Sequence, residues 1–256
     1  NIKTKRPDNM DSYDLVLQGL EYAKKGNVMK ENTQKAVELF EKAIELEPSY
    51  ARAHAWRACT LSNLADWEES PDPKIFENAF KSIQLALELD SNEPEVHRIM
   101  GALKLWHERD HEMAKYHFEK ARELCPSDVF IISRYAIMLI YFAEFDKALE
   151  ELERAKRLDP FSHDLIFGPE ATCHYWLDNP KEALQTFKKV KVKKNYLFYM
   201  ALTYKKIGDN DQASEILREA HALTGMDNDS FIGTQPFKDQ DILSTLKNDL
   251  SEIETK

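Results

Sequence analysis

One spacing recurs along the chain and leaves few folds open to it. Ala148, Leu152 and Ala155, followed by Pro160, place small, large and small side chains at i, i+4 and i+7. The spacing stands 34 residues earlier at Ala114, Phe118, Ala121 and Pro126, and again at Ala36, Phe40, Ala43 and Pro48. Looser copies are Ala79, Ile83, Ala86; Ala183, Phe187, Val190; and Ala213, Leu217, Ala220. Such positions share one face of an α-helix. Proline behind that face ends the helix, because it cannot continue the hydrogen-bond ladder.

A second helix precedes each copy. Its small residue falls at Gly19, Ala58, Gly101, Ala136 and Ala201, twelve residues ahead of the alanine at the last two. Small side chains on both helices let them approach closely, and the bulky Phe, Leu or Ile fills the remaining groove. Composition agrees. Only 7 glycines occur among 256 residues, too few for the turns and phosphate loops of a sandwich, barrel or doubly wound sheet.

A helix-turn-helix of 34 residues repeated in this way resembles the tetratricopeptide repeat (TPR), over roughly residues 11 to 227. The resemblance implies an all-α, right-handed TPR superhelix (α-solenoid) of about six helix pairs plus a C-terminal capping helix. The repeats are expected at 11–50, 51–93, 94–128, 129–162, 163–193 and 194–227, after a linker at 1–10 and before a loop and capping helix at 228–256. Insertions fall in the turns near Asn27 to Asn32 and Asp66 to Pro73, where closure entropy rises slowly with length. The fifth repeat is short, and its Gly168-Pro169-Glu170 predicts a kink or late helix start near Phe167, as a packing irregularity or a hinge. Ile242, Leu243, Leu246, Leu250 and Ile253 give the last helix an apolar face to cover the solenoid end.

The flanks narrow the resemblance. Residues 5–19, the Tyr204 to Gly208 turn and the Pro236-Phe237-Lys238-Asp239 segment resemble the TPR region at the C-terminus of bacterial class III adenylate/guanylate cyclases. That resemblance implies a regulatory part of a bacterial signalling protein, with any catalytic domain elsewhere and no catalytic residue, cofactor or metal here. The chain opens on Asn1 rather than Met, which suggests a segment of something longer.

Charge and cysteine usage bound the partners. A net charge of −10 argues against nucleic acid. Cys59, Cys125 and Cys173 form neither a disulfide framework nor a metal-ligand pair, which fits a reducing cytoplasm. The longest apolar run, Tyr135 to Ala143, is about half of a membrane span, so no membrane insertion is expected.

Three constellations are candidates for chemistry. His107-Glu108-Arg109-Asp110-His111 satisfies H-E-x-x-H, the signature of zinc hydrolases, yet the register lays it across a turn rather than along one helix. Lys188, Lys189, Lys191, Lys193 and Lys194, with Lys205 and Lys206, form either a solvated helix end or a patch for an acidic partner. First helices line the concave surface of such a solenoid. There the register places Arg52, Cys59, Arg98 and Trp106, then Phe130, Ser133, Arg134 and Tyr141, then Phe167, His174 and Tyr175. Aromatics with interspersed Arg dominate binding hot spots, while the competing reading buries about half of them as core. TPR domains that clamp chaperone tails use a Lys/Asn, Asn, Lys/Arg set; here Ala55, Cys59, Ile99 and Phe130 stand in those places and only Arg134 fits. The expected function is a non-catalytic module binding a protein or peptide. A structural spacer or homodimerisation arm is the alternative.

Overall fold

Several helices start where an acidic side chain can take an orphan backbone N–H. Asp72, Asp110, Asp128, Asp209 and Asp227 accept from the amides of Lys74, Met113, Ile131, Gln212 and Ser230 at 2.7–3.2 Å. Each such cap is worth about 1 kcal/mol. Gly208 and Gly225 end their helices at φ 91° and 71°, a left-handed conformation that side chains resist.

The computed structural model describes residues 8–26, 29–65, 67, 72–161 and 163–254. Of the two expected insertions, Asn27–Val28, Asp66 and Glu68–Pro71 lie outside them, as do the entry residues Lys5–Pro7 and the tail Thr255–Lys256, while Lys30–Asn32 already belong to the second helix and Pro73 opens the fourth. The described residues are all-α, with no strand among them. Two compact bodies divide the chain, Asn1–Pro126 and Ser127–Lys256. The N-terminal body holds α1 (Met10–Gly26), α2 (Lys30–Leu46), α3 (Ala51–Ala65), α4 (Pro73–Leu89), α5 (Pro94–Leu103) and α6 (His111–Leu124). The C-terminal body holds α7 (Val129–Tyr141), α8 (Phe145–Leu158), α9 (His163–Trp176), α10 (Pro180–Phe187), α11 (Leu197–Ile207), α12 (Asn210–Thr224), α13 (Asn228–Thr234) and α14 (Gln240–Glu254). Within each body consecutive helices pack in pairs: α1 with α2, α3 with α4, α5 with α6, then α7 with α8, α9 with α10, α11 with α12.

The recurring residues are the contact surface of those pairs. Ala36, Phe40, Ala43, Ala114, Phe118, Ala121, Ala148, Leu152 and Ala155 are all buried, as are the equivalents in α4 and α12, Ala183 and Phe187 of α10, and Val190 just past its end. A Cβ built on Gly19 would lie 2.6 Å from the Phe40 ring, and one on Gly101 2.9 Å from Phe118. The small residue is therefore the seat of the large one. Ala148→Phe should overpack α7 against α8 and cost about 1–3 kcal/mol in urea unfolding. An unchanged midpoint would place Ala148 off the contact.

Two expectations change. α9 does not start late; it runs from His163 with Pro169 inside it, at the expense of one hydrogen bond to the Leu165 carbonyl. Gly168 is a packing site, since a Cβ there would lie 2.0 Å from the Tyr196 ring. The segment before the cap is not all loop, because residues 228–234 form α13. The capping helix is α14, with Leu246, Leu250 and Ile253 buried.

Candidate functional site: the first-helix faces

In the N-terminal body the first helices are α1, α3 and α5. Arg52, in the first turn of α3, ion-pairs with Glu93 at 2.8 Å, just before α5. Glu93 also accepts from the Glu95 amide at 3.3 Å and so caps α5. Burial lifts its carboxyl above the usual range, with Arg52 pulling the other way. Arg98 is buried, 2.7 Å from Glu95 and with its guanidinium 5.0 Å from the Trp56 ring centre, Cys59 being a further neighbour. It braces α3 against α5 and faces inward, so a docking role does not fit its position. Trp106 is half-buried in the π-helical turn Lys104–Glu108 that follows α5.

That turn also decides the histidine motif. Arg109 is left-handed at φ 56°, Asp110 caps α6, and His111 begins α6. His107 instead meets Ser62 Oγ at 2.6 Å and the Phe76 ring at 4.6 Å. The two histidines therefore sit on different helices, which removes the i, i+4 geometry a zinc site requires. Among the described residues no group of three or more His, Cys, Asp or Glu is placed to hold a metal ion.

In the C-terminal body the first helices are α7, α9 and α11. Arg134 lies 4.9 Å over the half-buried Phe130 ring. Ser133 is buried, its hydroxyl donating to the Phe130 carbonyl at 2.8 Å. Half-buried Phe167 carries Lys189 above its ring at 5.4 Å, and His174 lies 3.8 Å from Glu170. Tyr175 is fully buried, donating to Asp249 at 3.5 Å beneath the Lys206 ammonium. Ser133 and Tyr175 therefore belong to the packed interior. The lysine set also divides. Lys205 pairs with Asp249 and Glu252 of α14, and Lys206 with Asp178 and the Tyr175 carbonyl. Both serve the fold, while Lys188, Lys189, Lys191, Lys193 and Lys194 are exposed.

One feature of this surface goes beyond the repeat pattern. The chain after α12 lies back across the first helices of three successive pairs. Phe231 stacks on Phe198 of α11 at 4.1 Å and meets Tyr199 edge-on at 5.8 Å. Phe237 meets Tyr141 of α7 at 5.1 Å and Trp176 of α9 at 5.6 Å, both edge-on. Between them the Tyr199 hydroxyl donates to Gln235 Oε1 at 3.3 Å, and the Lys238 amide donates to the Tyr141 carbonyl at 3.0 Å. The sequence holds one signal of it, two phenylalanines six residues apart in a short Gly- and Pro-punctuated stretch.

Consecutive antiparallel helix pairs closed by small-large-small contacts define the TPR fold. Two family models described as tetratricopeptide repeat match residues 39–70 and 196–222. Solved structures share the fold at low identity. PilF of Pseudomonas aeruginosa is 21% identical, with a TM-score of 0.55 over 85% of this chain and 94% of that one. PilW, a type IV pilus biogenesis factor, is 18% identical, with a TM-score of 0.60 over 87% and 98%. A thermophilic TPR protein of Thermus thermophilus is 15% identical, with a TM-score of 0.55 over 84% and 100%. No curated protein gives a significant match. No helix among the described residues is long and apolar enough to cross a membrane.

Proposed function

We propose that this chain is a non-catalytic protein–protein interaction module that holds a peptide or protein segment on its first-helix faces. The carrying observation is that α7, α9 and α11 already grip a stretch of polypeptide, residues 231–238, through aromatic seats and one backbone hydrogen bond. A surface that holds its own chain this way has the chemistry to hold another. Partly exposed Arg52 and Trp106, and the Arg134–Phe130 pair, add the residue types that dominate binding hot spots. Cys59, Cys125 and Cys173 make no disulfide among the described residues, in keeping with a reducing cytoplasm. The entry segment and the Pro236 to Asp239 stretch support a regulatory role beside a bacterial signalling domain such as a nucleotide cyclase.

The test is affinity capture, identification of the bound protein by mass spectrometry, and titration of that purified protein. Phe130→Ala combined with Arg134→Ala, both on α7, should weaken the titrated affinity by at least about tenfold, at unchanged helical signal. Equal affinities would remove the first-helix faces from the interaction.

A further inference from the structure

The segment across the C-terminal body is built as a separable occupant. Its fixed points are Phe231 at one end and Gln235, Pro236 and Phe237 at the other, all buried, with Gly233 and Thr234 exposed between them. α13 has only 7 residues, too few to persist without its anchors. α14, by contrast, has holds outside that segment: Lys205 of α11 pairs with Asp249 at 2.5 Å and Glu252 at 3.0 Å, and the Ser214 hydroxyl of α12 donates to the Ile253 carbonyl at 3.4 Å. Between α13 and α14 runs an ion pair of exposed residues, Lys247 with Asp229, which adds little. The segment can thus leave its seats while the cap stays in place.

Resting on the interaction-module reading, we propose that residues 227–239 are a cis-acting strap over the docking surface of α7, α9 and α11. The partner of that surface is then a polypeptide segment with two aromatic side chains six residues apart. Its aromatics enter the seats formed by Phe198 with Tyr199 and by Tyr141 with Trp176, and its backbone N–H replaces that of Lys238 at the Tyr141 carbonyl. The strap defines this chemistry because it is the ligand now bound. An apolar ring in each seat supplies the hold, while the main-chain bond and the Tyr199 hydroxyl set register. Partner binding requires strap release, so apparent affinity scales with the fraction of chains whose seats are open.

The probe is a fluorescein-labelled peptide of residues 225–240, titrated against the full chain by anisotropy. The Phe237→Ala chain, with its strap weakened, should bind at least about tenfold tighter than the unaltered chain. A peptide with both phenylalanines replaced by alanine should bind neither. Equal binding by a Phe237→Ala chain that is helical and melts cooperatively overturns the proposal. Should that variant unfold, hydrogen exchange on the unaltered chain decides: excess peptide should speed exchange of the 229–238 amides, and no change overturns it. A two-copy mass in light scattering that the peptide dissociates would make a second copy's strap the occupant, and overturns the assignment to a separate partner. If the peptide fails while Phe130 and Arg134 still govern capture, the strap assignment alone falls. If those residues do not govern capture either, the module reading falls with it.

Discussion

Phe118→Ala is expected to cost about 3–5 kcal/mol of stability in the N-terminal body, the range for removing a fully buried aromatic ring. The ring is buried between α5 and α6, and it fills space that Gly101 leaves by having no Cβ; an added Cβ would lie 2.9 Å from it. Removing the ring therefore opens a void that the facing glycine has no side chain to fill. Helix backbones already in contact through small residues have little room to collapse further, which places the loss in the upper part of the usual range. Whole-domain stabilities are about 5–15 kcal/mol, so the unfolding transition should move to far lower urea. Tyr116→Ala is the control. It lies on the same helix but is 54% exposed, and a change within about 1 kcal/mol is expected. A Phe118→Ala loss no larger than that of the control would mean the ring is not seated on Gly101.

The ease of reading these pairs from sequence has a physical cause. Ala114, Phe118 and Ala121 lie within two turns of one helix, and their partner Gly101 is only a short turn away. Local spacing therefore encodes the contact. Gly168 shows the opposite case. Its partner, Tyr196, comes from beyond the following helix, so no periodicity announces the close approach, and Gly168-Pro169 reads as a defect. The strap is harder still. Phe237 finds its seat on Tyr141 and Trp176, far back in the chain, and Lys205 of α11 spends its charge on α14. A basic run in sequence shows where charge is, not what neutralises it. The same limit puts Tyr175 and Ser133 on an open face when only register is read. Helical register tells which residues share a side, but a returning segment decides whether that side meets water.

Acid should weaken the N-terminal body between about pH 6.5 and pH 4 through one buried histidine pair. His97 and His117 are each 3% exposed, and their Nδ1 atoms stand 3.0 Å apart across α5 and α6. His97 Nε2 lies 3.0 Å from the Ser91 carbonyl, to which it must donate. In neutral His97 that leaves Nδ1 as acceptor, so His117 supplies its Nδ1–H to the pair. Protonating His97 turns two N–H groups toward each other. Protonating His117 adds a buried charge, with Lys104 and His97 unfavourable to it. Around His97, Lys120 also opposes a charge while Asp90 and Glu123 favour one, and burial outweighs them. Burial above all holds His117 down at about 4, against 6.5 for the free imidazole. Because the folded value is the lower one, the unfolded chain binds the proton first as pH falls. Stability from this group is complete above about pH 6.5 and drains toward pH 4, amounting to about 3 kcal/mol. His117→Asn keeps an N–H donor at the Nδ1 position toward His97 and cannot titrate. Unfolding free energies from urea titrations at pH 7 and pH 4.5 should therefore differ by about 2–3 kcal/mol less in the variant than in the unaltered chain. Parallel losses in the two proteins would assign the acid sensitivity to groups other than this pair.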